Sequence, residues 1–226
     1  MGTLGTQALQ KWLPTIKKEN KIDFCVANGE NSAAGNGILP NSAQDLLSCG
    51  VNVITGGNHT FRRKEIWEML DDKNMPLIRP ANYPALDPGR GVYIYEGRNK
   101  SIAIINIIGS TYLESHVENP FFCADRVLKD IKADIILVDF HAEATSEKRA
   151  MGFYLDGRVT AVFGTHTHVQ TADEQILPKG TAYITDAGMC GAYNSVLGVK
   201  SESVIRRFTT SMPTRFDNAD GNVEIN

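Results

Sequence analysis

The sequence predicts an α/β fold, and three observations support that prediction. Short apolar runs alternate along the chain with amphipathic stretches whose apolar residues repeat at helical spacing. Two of the runs, 135–138 and 159–163, are apolar apart from Thr160, which is typical of parallel strands covered on both faces of a sheet. Polar clusters follow directly on four of the predicted strands. The chain shows no internal repeat or linker-like tract, so we expect a single domain over residues 1–226.

The first half of the chain alternates helices and strands before a long loop. Apolar periodicity and stop residues predict helices over 8–16, 42–49 and 62–70. β-prone runs predict strands over 22–27 and 51–55. Four prolines make 74–91 a loop, because each proline removes a backbone donor and restricts its neighbour.

The second half repeats the alternation. A hairpin turning at Gly97-Arg98-Asn99 is predicted over 92–107. Helices are expected over 120–131 and 146–154. Strands are expected over 134–139, 159–163, 182–185 and 211–216.

Composition excludes several classes of protein. With 42% hydrophobic and 22% charged residues, the chain is neither disordered nor collagenous. It has no uninterrupted apolar stretch of about 20 residues, so we expect no membrane span. A net charge of −3 without a concentrated basic face argues against a stable nucleic-acid complex. No secretory signal precedes the four scattered cysteines, so we expect reduced thiols in a cytoplasmic protein; they are Cys25, Cys49, Cys123 and Cys190.

Polar residues at four predicted strand ends are the candidates for a functional site. The clusters are Gly29-Glu30-Asn31, Gly57-Asn58-His59, Asp139-Phe140-His141 and Gly164-Thr165-His166-Thr167-His168. In open α/β sheets, ligands bind beyond the carboxyl ends of the strands, so distant clusters can meet there. Four of the five histidines belong to this set.

The residue types in these clusters suit a metal centre. On an extended backbone, His166 and His168 would point to the same side because alternate residues share a face. Imidazole binds Zn, Fe, Mn or Ni well, Glu30 could bridge two ions, and Asn58 supplies a carbonyl oxygen. The set resembles a dinuclear centre for phosphoryl transfer, with metal-bound hydroxide as nucleophile and His59 as general acid.

Each residue also has a purely structural interpretation. His141 could be a hydrogen-bonded polar group after its strand, and Asn58 could cap a helix that begins near Phe61. Glu30 could be a surface turn residue, and Asp139 could either cap its strand or orient a ligating histidine. The coincidence of all four clusters with strand ends favours the functional interpretation.

Five motifs carry a resemblance to a known family. They are GENSAAGNG, GGNHTF, RPANYP, DFHAEATSEK and GTHTHVQTAD. With them, the chain from about Gly2 to Phe216 resembles the calcineurin-like metallophosphoesterase superfamily and, more closely, the bacterial YmdB-type cyclic-nucleotide phosphodiesterases. The resemblance implies a four-layer sandwich of two β-sheets flanked by helices. It also implies hydrolysis of small phosphodiesters, with 2′,3′-cyclic nucleotides as the characteristic substrate.

The resemblance further implies roles for seven residues. Glu30 would bridge two metal ions, Asn31 would lie beside them, Asn58, His141 and His166 would hold one ion, His168 would help hold the other, and His59 would donate a proton. We expect two divalent or mixed-valence ions, Fe or Mn in the first place and Zn as the alternative. A homo-oligomer is the expected assembly.

One departure from the family pattern concerns the N-terminus. The family opens with a short apolar strand that ends in Gly-Asp, and this Asp is a metal ligand. Here Met1 to Gly5 resembles the loop after that Asp, so we expect the first strand and one ligand to be absent. The chain also ends at Asn226, short of the family's last strands. We therefore expect a weakly held His168 ion and weak activity; the alternative function is a catalytically impaired regulatory protein that binds metal or nucleotide.

Overall fold

The computed structural model describes residues 2–113 and 116–226, and Met1 lies outside them. Residues 2–5, which the family comparison likened to a loop, are helical instead. The strands are β1 (Val26–Asn28), β2 (Val53–Thr55), β3 (Val92–Glu96), β4 (Ser101–Ile108), β5 (Ile135–His141), β6 (Ala161–Thr165), β7 (Gln175–Ile176), β8 (Ala182–Ile184), β9 (Gly191–Ala192) and β10 (Val223–Glu224). The α-helices are α1 (Gly2–Glu19), α2 (Pro40–Ser48), α3 (Trp67–Asp71), α4 (Pro120–Leu128), α5 (Thr145–Leu155) and α6 (Ser201–Thr209). The predicted α/β class is confirmed.

The strands form one large sheet and two small ones. The large sheet has six strands in the order β3-β4-β5-β6-β8-β7. Its strands β4, β5, β6 and β8 are parallel, and β3 and β7 are antiparallel edges. Strands β1 and β2 pair in parallel as a separate small sheet, and β9 pairs with β10. The predicted hairpin is the β3–β4 pair.

Helices cover the outer faces of the large mixed sheet and of the small β1–β2 sheet. One apolar cluster joins α1 and α2 to β2 through buried residues such as Leu9, Leu46 and Ile54. A second joins α4 and α5 to the large sheet through residues such as Phe140 and Met151. A third cluster, Val53, Ile78 and Ile104, lies between the two sheets. The order helices, small sheet, large sheet, helices gives the four layers that the resemblance implies.

Local sequence explains where helix α4 begins. Asn119 caps α4, since its Oδ1 accepts hydrogen bonds from the N–H groups of Phe121 and Phe122. Pro120 occupies the first position of that helix, where its missing N–H costs nothing. Residues 74–91 form the irregular loop that their prolines predict.

Some predicted elements differ from the structure. The helix predicted over 62–70 is a 3₁₀ turn, Lys64–Ile66, followed by the short helix α3. The strand predicted over 22–27 shrinks to β1. The strand predicted over 211–216 is wrong, because that segment is irregular, and Pro213 cannot donate to a strand ladder. Trp12, expected on the inner face of α1, is 49% exposed.

Two further expectations concern thiols and membranes. All four cysteines are free, with Cys25 partly buried and the other three buried, as expected of reduced thiols. Within the described ranges, no helix combines the length and the apolar character that a bilayer crossing requires. That residues 1–226 form a single domain stays a prediction.

Candidate metal centre

The carboxyl ends of β1, β2, β5 and β6 bring the predicted site residues together. Glu30 and Asn31 follow β1 in a turn and are buried, with relative exposures of 2% and 7%. His141 is the last residue of β5 rather than the first residue after it, and it is 1% exposed. His166 follows directly on β6. The convergence that the strand-end pattern predicts is therefore present.

Three side chains converge on one atom, Nε2 of His141. Asn58 Oδ1 lies 2.9 Å from it, His166 Nδ1 lies 3.1 Å away, and Glu30 Oε1 lies 3.2 Å away. The ligand atoms of Glu30, His141 and His166 all lie within 4.8 Å of one another. We call Glu30, Asn58, His141 and His166 the first position of the site.

The chemistry of this group fits a metal ion. A single proton on His141 Nε2 could satisfy only one of the three neighbouring atoms, whereas a cation would satisfy all their lone pairs together. Gly57 also lets the backbone pass close to these side chains, because a Cβ on this residue would lie 2.3 Å from Glu30 Oε2 and 2.4 Å from His141 Nε2. Nitrogen and oxygen donors without sulfur suit Fe, Mn or Zn.

A buried hydrogen-bond chain sets the tautomer of His141. The Thr165 hydroxyl donates to Asp139 Oδ1 over 2.6 Å, and its oxygen lies 2.9 Å from His141 Nδ1. Because this hydroxyl proton is committed to Asp139, the oxygen accepts a hydrogen bond from Nδ1–H. The lone pair of His141 is then left on Nε2, facing the first position. Of the two roles weighed for Asp139, the structure shows orientation of His141, acting through Thr165.

His168 lies apart from the first position. Its Nε2 is 3.2 Å from Asn31 Nδ2, and Asn31 Nδ2 is in turn 3.3 Å from Glu30 Oε1. His168 Nδ1 is buried and has no hydrogen-bond partner among the described residues. We call Glu30, Asn31 and His168 the second position, which shares Glu30 with the first.

The predicted reason for grouping His166 and His168 was wrong. Their backbone is not extended, because φ is 102° at His166 and 66° at His168. The two rings consequently face different neighbours, His141 for one and Asn31 for the other. Two separate ligand positions are what a dinuclear centre requires.

His59 contacts both positions without belonging to either set of ligands. Its Nδ1 lies 2.8 Å from Asn31 Oδ1, and its backbone N–H donates to Glu30 Oε2 over 2.9 Å. Asn58 does not cap a helix near Phe61, since the first helical turn begins at Lys64. Neither is Glu30 a surface residue, so both structural interpretations fail.

Glu143 is a member of the site that the sequence reasoning missed. Its Oε2 lies 3.0 Å from Nε2 of His166, and its side chain is 48% exposed. A carboxylate on one ring nitrogen fixes the ring and directs the other nitrogen inward, here Nδ1 toward His141. Its position two residues after His141 in DFHAEATSEK was the available signal.

The buried charges of the site favour the protonation states of metal ligands. Burial by itself raises the pKa of Glu30, but the charge and hydrogen bond of His141 and the N–H of His59 lower it to about 2. Burial lowers the pKa of His168 to about 4 and also lowers the pKa of His166. Glu30 is therefore ionised and His168 neutral near pH 7, as metal coordination requires.

Comparisons with known proteins show which family and fold the chain is similar to. The sequence matches the profile of the YmdB-like protein family over residues 1–226. A curated relative, named 2′,3′-cyclic-nucleotide 2′-phosphodiesterase, from Bacillus subtilis is 45% identical over 228 residues, which cover 100% of this chain and 85% of the relative.

Two solved structures have the same fold over nearly the whole chain. A hypothetical protein from Thermus thermophilus is 42% identical with a TM-score of 0.93, covering 99% of this chain and 86% of that one. A protein described as a novel phosphatase from Mycoplasma pneumoniae is 37% identical with a TM-score of 0.90, covering 97% of this chain and 80% of that one.

Proposed function

The chain belongs to the YmdB-like family, and on that basis we propose that it is a metal-dependent phosphodiesterase. Its proposed substrates are 2′,3′-cyclic nucleotides or similar small phosphodiesters, hydrolysed at a dinuclear metal centre. The observation that carries this proposal is the convergence of Asn58, His166 and Glu30 on Nε2 of His141. The name of the Bacillus subtilis relative supports the substrate class.

The two positions divide the ligands between two ions. Asn58, His141 and His166 would hold one ion, Asn31 and His168 would lie at the other, and Glu30 would bridge them. The ions, Fe or Mn with Zn as the alternative, would supply Lewis-acid stabilisation of the phosphoryl group and a nucleophile at neutral pH. Glu30 contributes a carboxylate that stays charged because its pKa is about 2.

His59 is the proposed proton donor to the leaving oxygen. Asn31 Oδ1 accepts a hydrogen bond from His59 Nδ1–H across 2.8 Å, which fixes the plane of the ring. The backbone N–H of His59 is anchored on Glu30, so the ring keeps a constant position relative to both sets of ligands. General acid catalysis by such a residue contributes about 10²- to 10⁴-fold.

The proposal also covers the substrate size, the location, the assembly and the partners of the protein. We propose a small-molecule substrate, a cytoplasmic location and a homo-oligomeric assembly, with neither a nucleic-acid nor a membrane partner. Free cysteines and a net charge of −3 support this setting.

Metal content and turnover, measured together, test the proposal. The purified protein is loaded with Mn²⁺, its metal is counted by elemental analysis, and hydrolysis of 2′,3′-cyclic AMP is followed. We expect two ions per chain at saturating Mn²⁺, the ion beside His168 held more weakly than the other, and weak but measurable turnover. His141→Asn should lose both metal and turnover, whereas His59→Asn should keep its metal and lose about 100-fold or more in turnover.

The exposed His116 provides the matched control, since His116→Asn should keep both metal and turnover. Two bound ions without hydrolysis of the cyclic nucleotide or of an aryl phosphodiester would overturn the enzymatic proposal in favour of a regulatory metal-binding protein. Turnover that survives His59→Asn would remove His59 from its role.

A further inference from the structure

The loop that carries His166 and His168 has an unusual backbone. Both histidines lie in the left-handed region, with φ of 102° and 66°, on either side of Thr167. Residues with a Cβ occupy this region at a cost of about 1 kcal/mol or more, and they remain there only when their surroundings enforce it. Something outside the loop must therefore hold Thr167 and its two neighbours.

Asp186 makes the contacts that hold this loop. Its Oδ2 accepts the Thr167 N–H over 3.2 Å, and its Oδ1 accepts the Gly188 N–H over 2.9 Å. Its own backbone exchanges hydrogen bonds with Thr171, through the Thr171 N–H at 3.1 Å and the Thr171 hydroxyl oxygen at 2.9 Å. One residue thus joins the middle of the loop, its far end and the chain after β8.

Lys148 neutralises Asp186 inside the protein. Its Nζ lies 2.5 Å from Asp186 Oδ2, and both side chains are only 1% exposed. Lys148 belongs to α5, which begins four residues after His141. The ion pair consequently connects the element that follows one histidine with the loop that carries the other two.

A buried ion pair of this kind needs a reason other than stability. Removing two charges from water costs several kcal/mol per ion, and an apolar pair of the same volume is often equally stable or more stable. Holding a particular geometry is a better-supported use, and here the geometry is that of two strained histidines.

We propose that Lys148 and Asp186 are positioning residues that hold Thr167 so that His166 faces the first position and His168 the second. This inference rests on the proposed metal centre but assigns neither residue as a ligand. Asp186 acts through its hydrogen bond to Thr167, and Lys148 acts by pairing with that carboxylate at a position where both side chains are buried.

Two double variants separate the hydrogen bond from the charge. Lys148→Met with Asp186→Asn keeps an oxygen for the Thr167 N–H, whereas Lys148→Met with Asp186→Leu does not. Neither variant buries a lone charge, and Asn and Leu have similar volumes. Mn²⁺ affinity is measured by titration calorimetry, and the spin coupling between the two bound Mn²⁺ ions by electron paramagnetic resonance. The free energy of unfolding of the metal-free proteins is measured in urea.

We expect the Asn variant to bind Mn²⁺ within about threefold of the natural chain, and the Leu variant to bind about tenfold or more weakly with loss of the coupled signal. Leu155→Ala, at a fully buried position of the same helix, is the control for stability alone. It should lower the free energy of unfolding while leaving Mn²⁺ affinity unchanged.

Equal affinity of the two double variants would overturn the inference, as would a loss of affinity in Leu155→Ala equal to that of the Leu variant. Failure of the natural chain to bind Mn²⁺ is a different result, since it contradicts the proposed function instead.

Discussion

The large sheet and the small β1–β2 sheet contribute different groups to the proposed metal centre and hold them in different ways. The large sheet supplies three histidines, and buried charged residues support them: Asp139 through Thr165, and Asp186 with Lys148. The small sheet supplies Glu30, Asn31, Asn58 and His59. Neutral groups fix the Gly56-Gly57 turn on this side, while Asp139 Oδ2 also accepts hydrogen bonds from Thr55 and Asn28 at the strand ends. Thr60 Oγ1 accepts the Gly57 N–H at 2.9 Å, and Asn106 Oδ1 accepts the Gly56 N–H at 3.0 Å.

This difference follows from what each side must hold. Imidazole rings have two nitrogens, so both tautomer and orientation must be specified, and two of these rings stand on strained backbone. The proposed metal ligands of the small sheet are carboxylate and amide groups, which offer an oxygen without a tautomer problem, and tight turns suffice for them. We therefore expect the support behind the histidines to matter more for metal binding than the support behind the small-sheet turns.

The largest expected effect on metal binding is at Gly57, where the small-sheet residue Glu30 and the large-sheet residue His141 contact each other. Gly57→Ala places a Cβ 2.3 Å from Glu30 Oε2 and 2.4 Å from His141 Nε2, so these two groups must separate. We expect Mn²⁺ affinity and turnover to fall by about 100-fold or more, by analogy with other 1 Å displacements in active sites.

Gly180→Ala is the matched control for Gly57→Ala. Gly180 has φ of 102°, so alanine is strained there, but its Cβ would meet nothing within 4 Å. This control should lose stability and keep its metal. A metal-binding Gly57→Ala protein would show that the contact between Glu30 and His141 is not needed.

A smaller effect is expected from removing one supporting hydroxyl group on each side of the site, that of Thr165 on the large-sheet side and that of Thr60 on the small-sheet side. Thr165→Val removes the oxygen between Asp139 and His141, and we expect metal affinity to fall about 10- to 100-fold. Thr60→Val removes the hydroxyl that fixes the Gly57 turn, and we expect a loss of about 1–2 kcal/mol in unfolding free energy with affinity kept within about threefold.

Thr160→Val, directly before β6, is the control, because Thr160 Oγ1 bonds only to the exposed Ile136 N–H among the contacts described. Metal titration and urea unfolding check all three proteins. Equal losses of affinity in Thr60→Val and Thr165→Val would abolish the proposed difference between the sheets.

The smallest effect is on the pH dependence of stability. His168 on the large-sheet side and Glu30 on the small-sheet side should act in different pH ranges. Burial lowers the pKa of His168 from 6.5 to about 4, so the unfolded chain takes up this proton first and stability falls as pH drops through that range. Glu30, whose pKa falls from 4.5 to about 2 in spite of its burial, adds a further loss between those values. We expect about 1–2 kcal/mol from His168, less than the whole shift because its ring is partly exposed.

Urea unfolding of the metal-free protein between pH 7 and pH 4 measures this effect. His168→Gln should flatten the profile, and His116→Gln, at an exposed position, should leave it unchanged. An unaltered slope in His168→Gln would show that the large-sheet histidine does not resist protonation.

Strand ends and residue types in the sequence were enough to predict the α/β class and the four clusters, whereas the roles of the seven candidate residues were completed by the family resemblance. Short-range pattern is sufficient within each sheet, because the carboxyl ends of its parallel strands share one edge. That the edges of two sheets face each other depends on the tertiary structure. Pattern did not single out Glu143: it shows a carboxylate two residues after His141, but the role of that carboxylate depends on its contact with His166, which follows a different strand. It also misplaced a strand over 211–216, because β-prone residues outweighed the effect of Pro213.

The sequence by itself determined which chemical groups are present, that they follow strands, and that they suit nitrogen and oxygen coordination. Only the tertiary structure decided which atoms meet: Nε2 of His141 with Asn58, Glu30 and His166, and His168 with Asn31 instead. The physical reason is that left-handed backbone at two histidines, and the buried Lys148–Asp186 pair beside it, arise from contacts among distant segments. Such contacts leave no periodic signal along the chain.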